Sequence, residues 1–201
     1  MTTRAILPVK LSLTAGDFYT LWAPTWREKG SEWQAFLGDD QSVLVFRSPE
    51  ELLAYLETTN AHDLADHPKW QQFQEQGDDR VVPTEKQYYD IVGAPEFLAG
   101  RPSHDNVSNL SRVFQISRSL ADVASAEQAQ IFFASHSILG NVSRGADHYA
   151  GDNGLSEWSG VGRVVLANWE GVVQSLDESV GVVDTSELDA ERSEEQTSEL
   201  Q

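Results

Sequence analysis

Apolar and polar positions alternate at the start of the chain. Val9, Leu11 and Leu13 are separated by Lys10 and Ser12, a period of two that predicts a strand. The aromatic run DFYTLW, Asp17 to Trp22, has the composition of a second strand. EWQAFL and SVLVFR flank GDDQ, Gly38 to Gln41, and together predict a hairpin. The segment APTWREKGSEW between the aromatic run and that hairpin reads as a loop by composition. A helical pattern follows in SPEELLAYLETTN. Ser48 with Glu51 forms a capping box, Pro49 stands at the first helical position, and Leu52, Leu53 and Leu56 form the stripe. Residues 3–59 therefore predict an antiparallel sheet leading into a helix.

From there the spacing lengthens to that of helices. DHPKWQQFQEQ predicts a short helix with Asp66 as cap and Pro68 just inside. GDDRVVPTEK is polar and marks a boundary near Gly77 to Thr84. KQYYDIVGAPEFLAG, broken by Gly93 and Pro95, fits a short strand or a short helix. In DNVSNLSRVFQISRSLADV, Val107, Leu110, Phe114 and Ala121 share a face, with Val113, Ile116 and Leu120 beside them. The clearest helix begins near Ser156. Trp158, Val161, Val165, Trp169, Val172 and Leu176 recur at spacings of three and four. The two stripes predict that these helices pack on each other. The fold class is α+β: an N-terminal antiparallel sheet plus helix, then a mainly helical C-terminal half. The division is 1–76 for the first domain, 84–180 for the second, and 181–191 for an acidic tail.

Composition narrows the function classes. Hydrophobic residues make up 40% of 201, with six Trp and eight Phe, enough to form a core. Cysteine is absent, which excludes disulfides and thiolate zinc sites. The formal charge of −18 repels a phosphate backbone, so no direct nucleic-acid binding is expected. The start, MTTRAILPVKLSL, is broken by Pro8 and Lys10 and lacks a signal-peptide core. No run approaches ~18 apolar residues, so no membrane helix is expected. A cytoplasmic location is consistent with all of this. The last ten residues, RSEEQTSELQ, resemble the in-frame translation of a sequencing adapter, RSEEHTSELQ, differing at Gln196. Residues 192–201 are read as such an artefact, and the chain stays strongly acidic without them.

Candidate chemistry is sparse. In IFFASHSILGNVSRGADHYAGDNG, His136 borders an apolar face set by Phe132 and Leu139, and Gly140 reads as a helix C-cap. Asp147, His148 and Asp152 could gather round a metal in a loop, but HExxH and paired-histidine spacings are missing. Neither GxSxG nor a phosphate-binding glycine pattern is present. The stretch reads as a structured connection that folds over the ends of the two striped helices, with no metal and no cofactor expected. In NAHDLADHPKW, the pairs His62–Asp66 and Asp63–His67 have metal-site spacing, yet helix capping explains them better. The remaining signal is aromatic. Trp22, Trp26 and Trp33 lie in or beside the presumed loop and are the candidate partner-binding residues.

The run VKLSLTAGDFYTLWAPTWREKGSEWQAFLG resembles the N-terminus of an actinobacterial cytoplasmic family often labelled primosomal protein. FFASHSILG, YAGDNG and WSGVG…NWEGVV resemble its C-terminal half, so the likeness spans about residues 3–180. The resemblance implies no catalytic residues. It implies at most a replication link, which the acidic charge would route through protein partners. The reading from sequence is a non-enzymatic binding or adaptor protein with an unidentified protein partner. The alternative is a hydrolase, metal-dependent or not, using His136, Asp147 and His148.

Overall fold

The computed structural model describes residues 5–28, 31–39 and 42–185. The protein is α+β, and its chain forms two compact units. The first comprises residues 1–10, 18–87 and 180–201; the second comprises 11–17 and 88–179. The division falls after Gln87, a few residues beyond the polar stretch Gly77–Thr84. The adapter-like end at 192–201 and most of the acidic tail lie outside the described residues.

In the first unit three strands stand in the order β3-β2-β1. They are β1 (Leu7–Leu13), β2 (Gly16–Glu28) and β3 (Ser31–Phe36). The turn between β1 and β2 closes at Gly16, whose φ of +130° favours glycine. The segment that composition assigns to a loop is a hairpin: β2 runs on to Glu28 and pairs antiparallel with β3. Pro24 breaks the alternation in sequence. The ladder accommodates it by shifting register between Ala23 and Trp26, a bulge where a missing N–H costs nothing.

Strand β4 (Val43–Val45) pairs with β6 (Val180–Val182), and the pairing is parallel. The first unit is thus a mixed arrangement rather than wholly antiparallel. Its helix α1 (Pro49–Thr58) begins as the capping box predicts. The Glu51 N–H donates to Ser48 Oγ at 3.2 Å, and Arg47 N–H donates back to Glu51 Oε2 at 3.1 Å. Glu51 Oε1 also accepts from the Thr185 hydroxyl at 3.1 Å. The expected capping role of Asp66 is not observed. Asp66 lies in a 3₁₀ turn, Asp63–Asp66, and α2 (Trp70–Gln74) begins later, after Lys69. The Ala65 N–H donates to the His62 carbonyl at 3.2 Å and the His67 N–H to the Leu64 carbonyl at 3.0 Å to close the turn, and His67 Nδ1 then accepts the Lys69 N–H at 3.0 Å between the two elements. Leu21, Leu37, Phe46, Leu52, Leu64, Trp70 and Phe73 form the core of this unit.

In the second unit, the end of β1 lies beside β5 (Tyr88–Tyr89). Ser12 ties it there, with its hydroxyl 2.8 Å from the Tyr88 hydroxyl and also donating to Asp17. The ambiguous stretch after Lys86 contains both a short strand and a short helix, α3 (Ala94–Ala99). Helices α4 (His104–Ala124), α5 (Glu127–Ser135) and α6 (Gly151–Ser179) complete the bundle. All six stripe residues of α6 are buried, as are the seven of α4. These two helices pack on each other, and α6 also packs on α3 and α5.

Two boundaries differ from the pattern. Helix α6 starts at Gly151, more than a turn before Ser156. Helix α5 stops at Ser135, so Gly140 is not its C-cap. His136 takes that place. Its Nδ1–H donates to the Phe132 carbonyl at 2.8 Å, filling an acceptor that a helix end leaves open.

Candidate functional site

Of the three tryptophans proposed as partner contacts, Trp22 is in the interior. Trp22 is buried, at 4% exposure, and stacks on Phe36 with ring centroids 5.9 Å apart. Both belong to paired positions of β2 and β3, which explains the stack. Trp22 is therefore a buried residue, as are its strand neighbours Leu21 and Ala23. Trp26 and Trp33 are direct cross-strand partners in the same ladder. The eleven residues from Ala23 to Trp33 read as loop because of Pro24, Lys29 and Gly30.

The second candidate is the connection between α5 and α6. Ser137–Arg144 and Ala146–Tyr149 are successive 3₁₀ helices, so it is a structured connection. His136 is held at the end of α5, bonded to Phe132 and packed on its ring at 5.2 Å. His148 turns elsewhere, its Nε2 in a close pair with Glu157 Oε2. The other oxygen of Glu157 accepts from Asn141 Nδ2 at 3.2 Å. One carboxylate of α6 thus fastens both 3₁₀ segments. Tyr149 is fully buried beside Trp158, with ring centroids 5.0 Å apart. Its hydroxyl has no hydrogen-bond partner. Burial, and then the nearby Glu157 charge, push its pKa up to about 12.

The structure does not bring His136, Asp147 and His148 together as a metal site. Among the described residues, no three His, Asp or Glu side chains gather where they could hold a metal ion. What it assembles instead is Asn141, His148 and Glu157, an imidazole–carboxylate pair with one amide donor. Such a pair can exchange a proton, but its evident work is to join three segments. Glu157 was not legible as the partner of His148. The eight intervening residues cross the end of a 3₁₀ helix, a break at Ala150 and the start of α6, so no helical spacing connects them.

Exposed apolar side chains form a third feature. Leu166 is 72% exposed and Leu155 is 47% exposed. Eleven residues are close to three helical turns, so the two share one flank of α6. Ile131 of α5 is also exposed. Neither leucine stands out in sequence, since both sit beside a long apolar stripe. Among the described residues, no helix is long and apolar enough to cross a membrane.

Comparison with known proteins is consistent with the fold just described. The family model described as the SatS C-terminal domain matches residues 6–177. No curated protein matches the chain. A solved structure described as the SatS C-terminal domain in complex with bromine is similar over 89% of this chain and 94% of its own. The TM-score is 0.60 and the identity 18%. At that identity the likeness speaks for the fold alone.

Proposed function

We propose a function from one premise: the chain belongs to the SatS C-terminal domain family. Our reading is a non-enzymatic binding protein that acts on polypeptide partners in the cytoplasm. The observation that carries it is the pair Leu155 and Leu166, exposed three turns apart on one flank of α6. An exposed leucine alone is ordinary; two aligned on a rigid helix offer anchors for an apolar partner segment. The formal charge of −18 favours a neutral or basic polypeptide over nucleic acid. Trp26 and Trp33 of the β2–β3 hairpin are a second proposed contact. A link to replication and an actinobacterial setting belong to this proposal only through the resemblance of the N-terminal run.

The test is capture of interacting proteins by the immobilised chain and by a Leu155→Asp/Leu166→Asp variant. Far-ultraviolet circular dichroism first establishes that both are equally folded. Proteins held by the first and lost from the second support the reading. Identical sets sink it. A Trp26→Ala/Trp33→Ala variant then reports separately on the hairpin. The hydrolase alternative now centres on the His148–Glu157 pair, and turnover lost in Glu157→Gln with stability unchanged would favour it.

A further inference from the structure

In the first unit His62 is 7% exposed, and neither ring nitrogen has a hydrogen-bond partner. A neutral imidazole carries one donor and one acceptor, and both are buried here without a partner. A buried donor or acceptor left unpaired destabilises the folded state. The ring is instead enclosed by aromatic side chains. Trp70 of α2 meets it edge to face at 4.6 Å between centroids, and Tyr55 of α1 lies at 6.3 Å. The aromatic chain continues from Tyr55 to Phe46 and from Trp70 to Phe73.

We propose that His62 is a proton-operated latch on the segment 62–74. Protonation gives the ring a second N–H and a full charge, and the aromatic surroundings offer neither an acceptor. The least costly response is for the imidazole to leave for water. The segment it would carry along is joined to the rest of the unit by polar contacts at both ends. The Asp63 N–H donates to the Gly38 carbonyl at 2.9 Å, and Gln74 Nε2 donates to Asn60 Oδ1 at 3.2 Å. Leu64, Trp70 and Phe73 are buried in the same core, which opening would expose, and Arg80 lies over the Phe73 ring at 5.9 Å.

The facing charges act in known directions. Asp66, on the adjoining 3₁₀ turn, favours the charged ring, and a Trp70 face would do the same. Burial outweighs Asp66 and holds the His62 pKa below its ordinary value of 6.5. Tyr55 of α1, with its own pKa raised by burial and then by Asp39, stays a neutral phenol in this range. The folded pKa is depressed below the unfolded value. The native state is therefore fully favoured above about 6.5 and loses ground as pH falls below it, since the unfolded ring binds the proton first. This inference is independent of the partner surface on α6.

Hydrogen–deuterium exchange on the full chain, corrected for intrinsic rates, tests it at about pH 7.5 and about pH 5. Segment 62–74 should lose protection in acid, approaching tenfold per pH unit below about 6.5, while α4 and α6 do not. His62→Phe keeps an aromatic ring in place and should abolish the acid loss; His67→Gln should leave it intact. Equal protection of wild type at both pH values, or an unchanged acid loss in His62→Phe, overturns the proposal. Should His62→Phe fail to fold, ring-proton NMR of the wild type decides. An imidazole of residue 62 that titrates at or above 6.5 sinks the idea, and one that titrates below it, as 62–74 loses protection, supports it.

Discussion

The indole N–H of Trp169 donates to the Ile91 carbonyl at 2.7 Å, across 78 residues of sequence. Trp169 is also packed against Phe114, Phe132 and Phe133, with ring centroids 5.7, 5.8 and 6.3 Å away. One side chain of α6 thus joins α4, α5 and the segment before α3. Trp169→Ala should cost about 3–5 kcal/mol, the range for deleting a large buried aromatic. Trp169→Phe should cost less, about 1–3 kcal/mol, because the rings still pack and chiefly the indole bond is lost, leaving the Ile91 carbonyl unpaired. Denaturant titration separates the two. A loss under ~1 kcal/mol for the alanine variant would contradict the core role.

Glu157 should matter to stability more than a surface carboxylate does. It accepts from Asn141 and pairs with His148, and both partners are half-buried. Glu157→Ala should cost about 1.5–3 kcal/mol, as for hydrogen bonds to a charged group. A double-mutant cycle with His148→Ala should show coupling of at least ~0.5 kcal/mol. Additive losses would mean that the pair does not fasten the connection to α6.

Gly154 lies in the first turn of α6, where a β-carbon would collide with the backbone of Tyr149. Alanine normally gains about 1 kcal/mol over glycine inside a helix. Here the obstacle is backbone, which cannot rotate aside. Gly154→Ala should therefore destabilise, by about 1–3 kcal/mol as in overpacked sites. A raised melting temperature would show that the turn at Tyr149 can yield.

Tyr149 predicts an alkaline limit. Its phenol is held neutral in the folded state up to about 12, against 10.0 for the free group. Stability from this group is complete below about pH 10. Above it the unfolded phenol ionises first, and stability falls by about 1.4 kcal/mol per pH unit until about 12. Tyr149→Phe removes both the unpartnered hydroxyl and this slope. Denaturation of both forms between about pH 9 and 11 checks it; parallel profiles would contradict the assignment.

The six-residue stripe of α6 and the seven buried positions of α4 were legible from spacing alone. So was the start of α1, because Ser48, Pro49 and Glu51 act within one turn. The core role of Trp22 was not legible. It depends on the pairing of β2 with β3, which sets Trp22 opposite Phe36. The 3₁₀ turn at Asp63–Asp66 was likewise hidden, since four residues closed by backbone bonds leave no periodic pattern.

By itself the sequence determined the α+β class, the apolar faces of the long helices and a strongly acidic character. Each follows from local periodicity or from summed charge, which neighbouring residues settle among themselves. Tertiary structure alone decided that Val180–Val182 returns to pair with Val43–Val45, and that His148 meets Glu157 instead of His136. It also decided that His62 sits among aromatic rings without a polar partner. These are encounters between segments far apart in the chain or turned by irregular backbone. Their energy comes from burial and pairing that exist only once the chain has folded, so no repeating pattern announces them.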